Sequence, residues 1–431
     1  MKKNLNKKVS AGALQYTLFI AVLIVLLISA FLTLSFLQNQ FKIKGNLQIQ
    51  SIQNADLGFN FIGENEIPYE EDKTVVLSTD LESQFVLTKK HWGIFDLVDV
   101  QSSVKNVTFH KTGLVGGFQS EKPALYLKDN NNALVLVGNT EIQGAVFLPK
   151  NGVKRGNIAG HSYYGNQLIY GTETLSDKKL PEIKNRIYVE QLSKGTIDLE
   201  DAIFIALYDG LKIINSFNKP TQIYKLQGII NLHDIQLIGN IIIQSDMSIN
   251  IDKTALLSDV LLIAPNITVM DGVTGNFQAI ASKNITVGSN CNLIYPSVLV
   301  LEEEKEEEKE EEIENLGNIK KEEAVQLLIN SNTSITGVVA FLSNSKTSGY
   351  LPQIILEEGA KVIGEVYCDK NFELKGTVLG SVYTNGFISR QYGSIYQNHI
   401  YNGSILQSKL PQQYVGLSIE NSIPKVSKWL Y

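Results

Sequence analysis

A chain of 431 residues that is 44% hydrophobic and 19% charged, with two cysteines, is too apolar to be disordered and too poor in cysteine to be a disulfide scaffold. Its formal charge is -6, but residues 302–314 (EEEKEEEKEEEIE) alone carry -8, so the remainder is near neutral at about +2. With only Arg155, Arg186 and Arg390 as arginines and no basic surplus, nucleic acid is set aside as a partner.

No charged residue occurs between Lys8 and Lys42, and residues 18–37 (LFIAVLIVLLISAFLTLSFL) are apolar apart from Ser and Thr. At 1.5 Å per residue such a helix spans about 30 Å, the hydrocarbon thickness of a bilayer. Lys2, Lys3, Lys7 and Lys8 precede it and no acidic residue appears before Asp56. The positive-inside rule therefore puts the N-terminus in the cytoplasm and the main domain in the periplasm or outside the cell. The stretch is longer than the apolar core of a signal peptide, which favours an uncleaved anchor. Its entry, Lys7-Lys8-Val9-Ser10-Ala11-Gly12 leading into Ala13-Leu14-Gln15-Tyr16-Thr17, resembles a type IV pilin or pseudopilin leader. With Gly12 as the last leader residue, Thr17 stands at the fifth mature position, where that family normally has Glu. The resemblance implies an anchor that sits beside pseudopilin-like proteins.

Beyond the anchor, Leu47, Ile49, Ile52, Leu57, Phe59 and Ile62 fit partly helical and partly alternating spacing. The reading favoured is a helix continuing toward residue 58, where Gly58 ends it. Residues 63–75, acidic around Pro68, read as a solvated loop, and the runs VVLS, QFVLT and NVTFH as short strands.

The central region is periodic. Ser248-Ile249-Asn250-Ile251, Asn266-Ile267-Thr268-Val269 and Asn284-Ile285-Thr286-Val287 repeat one polar-apolar tetrapeptide at intervals of 18 residues. One alternating strand per fixed interval is what the stacked coils of a parallel β-solenoid require, with the apolar members inward. The stretch 139–148 matches 332–342, and Val362-Ile363-Gly364-Glu365-Val366 repeats at 12 residues as Leu374-Lys375-Gly376-Thr377-Val378. Short Gly-x-Val steps of this kind resemble bactofilins and other polymer-forming β-helical proteins.

The acidic run falls where a further strand is due, and it reads as an insertion at a corner, a self-repelling solvated segment rather than a cation site. His91, His110, His161, His233 and His399 show no paired ligand spacing, and no nucleophile or nucleotide motif is present. Cys291 and Cys368 have no spacing that predicts pairing. One loop, residues 149–165, gathers Lys150, Lys154, Arg155, His161, Tyr163, Tyr164 and four glycines. Cations beside aromatic rings suit an acidic glycan or a partner's carboxylates, so Lys154, Arg155, His161, Tyr163 and Tyr164 are the candidate binding residues. The Tyr-rich C-terminus reads as a cap on the exposed end of the coil.

The expectation is thus a mainly β protein with a single N-terminal transmembrane α-helix, a parallel β-solenoid and an acidic helical insertion. Its parts are a basic tail (1–8), the membrane helix (9–41), a membrane-proximal segment with first strands (42–103), the solenoid (104–300 and 329–410), the insertion (301–328) and a C-terminal cap (411–431). The expected role is a membrane-anchored structural or assembly protein of the cell envelope, accessory to a pseudopilin-like apparatus. Its partners are the bilayer and envelope proteins or further copies of itself. The alternative is a tethered glycan-binding or glycan-cleaving β-helix. No reaction, metal or cofactor is called for, and a non-enzymatic role is favoured.

Overall fold

The computed structural model describes residues 11–79, 82–195, 202–203, 207–303, 325–345 and 349–430. The chain divides into two compact units. The first comprises residues 1–60, 73–87 and 100–110, and the second residues 61–72, 88–99 and 111–431.

Helix α1 runs unbroken from Ala11 to Glu64, past the expected stop at Gly58. No proline interrupts it, and Pro68 ends what it can extend into. Every described side chain over residues 13–46 is exposed, and the helix is long and apolar enough to cross a membrane. From residue 51 the pattern changes: Ser51, Asn54, Ala55, Gly58 and Phe59 are buried, at the i, i+3, i+4, i+7, i+8 spacing of one helix face. Within the first unit Ser51 Oγ pairs with Ser102 Oγ at 2.8 Å, and Asn54 Nδ2 donates to Ser83 Oγ at 2.8 Å. A Cβ on Gly58 would stand 2.5 Å from Val100 Cγ1, so Gly58 serves close packing rather than termination. Leu57 and Ile52, the apolar residues that made this stretch ambiguous, face outward.

Strands β1 (Asp72–Ser78), β2 (Ser83–Trp92), β3 (Phe95–Val104) and β4 (Val107–Phe118) form a sheet with Ile423–Leu430, in the order β1-β2-β3-β4 and then the C-terminal strand. That last strand pairs antiparallel with β4, and Leu417, Ile419 and Leu430 are buried in an apolar cluster. Within the expected cap, residues 423–430 therefore lie along a sheet edge, and Leu417 and Ile419 lie in a buried apolar cluster. The antiparallel sheet also takes residues 107–118, so parallel pairing begins later than residue 104, at Leu125–Leu127.

Most of the remaining strands join in one continuous, barrel-like sheet that is mainly parallel, flanked by a three-stranded sheet and a two-stranded hairpin. Ser248↔Asn266↔Asn284 and Ile251↔Val269↔Val287 are in register, so each 18-residue step carries the chain to the neighbouring strand. Asn284 then pairs with Gln326. Strand Asn292–Glu303 persists through Glu303 and pairing resumes at Gln326, so residues 301–303 and 326–328 are strand rather than insertion, with Leu301 and Leu327 buried inward. Residues 304–324 lie outside the described residues.

Strand adjacency departs from chain order at one end. Strand Thr377–Gln391 pairs in parallel with Leu125–Leu127, which pairs with Val146–Leu148, which pairs with Glu173–Leu175. The segment preceding the central repeats in sequence is thus stacked beyond their last strand. Residues 176–195 lead back along one side. Asp177 N donates to Tyr126 Oη at 3.1 Å, Tyr367 Oη donates to Pro181 O at 3.1 Å, and Arg186 Nη2 donates to Ser343 O at 2.7 Å. The short helix α2 (Arg186–Ser193) then packs on strands Leu256–Val269, Thr274–Val287 and Asn292–Glu303.

Two cores result. Leu262, Ala264, Leu299, Leu301, Val339 and Phe341 point inward, while their alternates Leu261, Ile263, Val298, Val300, Val338 and Ala340 form an outer row covered by Val189 and Leu192 of α2 and by Leu417 and Ile419. Strands buried on both faces read as continuous apolar runs, which is why residues 261–264 (LLIA) and 298–301 (VLVL) lack alternation. Gly364 shows how tightly neighbours stack: its φ is 148°, and a Cβ there would lie 1.9 Å from the carbonyl oxygen of Gly337, its partner in register.

Candidate functional site

The loop singled out in the sequence is assembled by three short parallel strands. Val153–Arg155 pairs with Leu134–Val137, which pairs with His399–Tyr401, in the register Lys154↔Val135↔His399. Next, Asn157–Ile158 and His161–Ser162 form a small antiparallel hairpin, Ile158 facing His161 across a two-residue turn. Both turn residues, Ala159 (φ 50°) and Gly160 (φ 87°), are left-handed, as a type I′ turn demands.

The five residues expected to bind are not equivalent. Lys154, Arg155, His161 and Tyr164 are exposed, Tyr164 at 59%. Tyr163 is buried, bridges to Gly138, donates its hydroxyl to the carbonyl of Gln167, and lies 5.9 Å beneath the Arg155 guanidinium carbon. Burial pushes its hydroxyl pKa upward. It supports the surface rather than presenting itself. Arg155 Nη2 donates to Asn166 O at 3.2 Å, and Tyr164 Oη stands 3.5 Å from His161 Nδ1.

The structure adds residues that sequence reasoning assigned to a cap. The His161 ring lies nearly parallel to that of Tyr392 (5°, centroids 6.4 Å apart) and edge-on to Tyr401 at 6.0 Å. Tyr396 and His399 follow at 5.5 Å. His399 Nδ1 donates to Gln397 O at 2.6 Å, which fixes its tautomer, while burial, opposed by that bond and aided by Lys154, lowers its pKa. The Tyr401 hydroxyl is raised by desolvation and by Tyr392 beside it. Together these side chains form a partly exposed aromatic surface with Lys154 on the same face, able to stack a flat ring and to pair with an anion. The local signal was a dense run of tyrosines; their meeting with residue 161 has no local signal.

Two further features lie elsewhere in the second unit. A polar cleft of about 1190 Å³ is lined by Lys128, Lys179, Arg186, Asp369, Lys370 and Asn371 among others, but Arg186 is paired with Asp369 at 2.7 Å and Lys370 with Glu303 at 2.5 Å. His91 is sandwiched between Tyr69 (3.7 Å) and Tyr188 (4.1 Å), with Asp96 held by Lys89 at 3.1 Å. Among the described residues no group of three His, Cys, Asp or Glu side chains is placed to hold a metal ion. Cys291 and Cys368 are buried and free.

No protein-family model and no curated protein matches this sequence. Among solved structures, a competence-associated pilin, ComZ from Thermus thermophilus, aligns over 89% of this chain and 97% of its own at 8% identity, with a TM-score of 0.21. A superposition that loose carries no inference about fold or function.

Proposed function

We propose that this chain is a membrane-anchored protein of the cell envelope, with its N-terminus in the cytoplasm and its main domain, a parallel β-solenoid, exported. Its role is structural or in assembly, accessory to a pseudopilin-like secretion or surface apparatus. The observation that carries this reading is the two-part helix α1: bare over residues 13–46 and apolar over 18–37, then locked by Ser51, Asn54 and Gly58 into the first unit. A helix built this way is a rigid extension of a folded body, not a flexible tether. The in-register parallel strands at 18-residue steps support the solenoid, since each coil of such a fold contacts only its neighbours.

The test is fractionation of cells making the full-length protein, followed by co-purification from detergent. The expected result is retention in membranes after alkaline extraction and stoichiometric recovery of other single-pass envelope proteins, both lost on deleting residues 1–45. Release by high salt, or recovery of the protein alone, would sink the proposal. A second reading, a tethered glycan-binding solenoid, is favoured by one observation: the exposed aromatic and cationic surface around His161 and Tyr392.

A further inference from the structure

Tyr392 occupies a position that its own backbone disfavours. The loop Tyr392-Gly393 connects Gln391 to its cross-strand partner Ser394, with φ of 52° and 76°, the geometry of a type I′ turn. Asn-Gly is the dipeptide such a turn prefers, and a bulky residue at positive φ is an outlier. Burial does not offset this strain, because Tyr392 is 67% exposed. Its ring instead lies parallel to His161, which follows a second turn of the same kind at Ala159-Gly160. Two hairpin tips are thus brought together to present two rings in nearly the same orientation. A strained backbone carrying an exposed side chain points to a role in contact rather than in folding. On the face that carries Tyr401, Lys154 is exposed and stands in register with His399 across Val135, close enough to act on its imidazole.

We propose that this surface binds an acidic saccharide, with a pyranose ring stacked on Tyr392 and His161 and its carboxylate drawn to Lys154. The inference rests on the glycan-binding reading above and narrows it to a ligand class and to residues outside the 149–165 loop. The Lys154 ammonium, exposed on that face, favours an anion. The near-neutral body and three arginines favour a short acidic sugar over a nucleic acid strand, which needs a longer basic track.

The experiment titrates full-length protein in detergent micelles with tetragalacturonate, with cellotetraose as the neutral saccharide and an oligothymidylate as the nucleic acid. Tetragalacturonate is expected to bind, more weakly as salt rises. Tyr392→Asn is expected to weaken it about tenfold. The same variant should unfold at an unchanged or higher temperature, because it creates the preferred Asn-Gly turn. Lys154→Ala should weaken binding and reduce its salt dependence. Equal binding of cellotetraose would overturn the acidic class while leaving the glycan reading standing, and tighter binding of oligothymidylate would overturn the saccharide. Failure to bind any saccharide would overturn both. A Tyr392→Asn variant that binds normally, or that unfolds at lower temperature, would show the ring to be structural and overturn the assignment.

Discussion

Glu302 shows how much one side chain depends on its surroundings. In the sequence it opens an acidic run and reads as solvated, yet it is fully buried and neither carboxyl oxygen has a hydrogen-bond partner among the described residues. Burial raises its pKa from 4.5 to about 8, opposed by Arg186 and aided by Glu190 and Asp369. The folded state therefore holds a proton that the unfolded chain releases. The contribution of Glu302 to stability is fully present below about pH 4.5 and is lost as pH rises toward about 8, by on the order of 3 kcal/mol at neutral pH. Urea midpoints of wild type and Glu302→Gln compared at pH 5 and pH 8 should show the wild type losing stability across that interval while the variant loses far less. Equal losses would exclude Glu302 as the cause. Nothing in a run of glutamates marks which one is buried; Leu301 points inward, so Glu302 falls on the covered outer row, in register with Leu342 and near Arg186 and Glu190 of α2.

At the scale of elements, α2 is eight residues long, without a side-chain N-cap bond, and too short to hold itself together. It is helical because Val189 and Leu192 cover the outer row of the coil, where Ile263, Ile280 and Val300 lie in the same buried cluster. Val189→Asp should therefore cost about 3 kcal/mol in urea-induced unfolding, with the far-ultraviolet signature of the strands retained. A loss under about 0.5 kcal/mol, the level of an ordinary surface change, would mean that the outer row is not a core. The strands under α2 were legible as strands because of their apolar, β-branched runs, and those runs lacked alternation for the reason now visible, burial on both faces. The helix α1 was legible for a different reason: an uncharged apolar run of that length has few other stable forms. Its buried face at residues 51–59 was not, because Ser51, Asn54, Ala55 and Gly58 make most of it while Ile52 and Leu57 face outward.

For the whole molecule, the strand order implies graded stability. Strands such as Thr274–Val287 and Asn292–Glu303 have parallel partners on both sides, whereas Glu173–Leu175 and Lys212–Asn215 each have one among the described residues. Hydrogen exchange should be slowest in the central strands and fastest in those two, as in any stack whose members hold only their neighbours. Uniform protection would mean that residues 176–195, which run alongside several strands, tie the stack into one cooperative unit.

Sequence alone determined that a long apolar helix begins the chain, that the rest is rich in strands, and that 18-residue steps repeat one inward-outward pattern. These are local properties, set by side-chain polarity and a period of two or 3.6 residues. Only the tertiary structure decided that residues 125–175 stack beyond strand Thr377–Gln391, that the outer row is covered, and that Tyr392 meets His161 across more than two hundred residues. Such pairings depend on surfaces and hydrogen-bonding edges that exist only once each element has formed, so no local pattern in the chain specifies them.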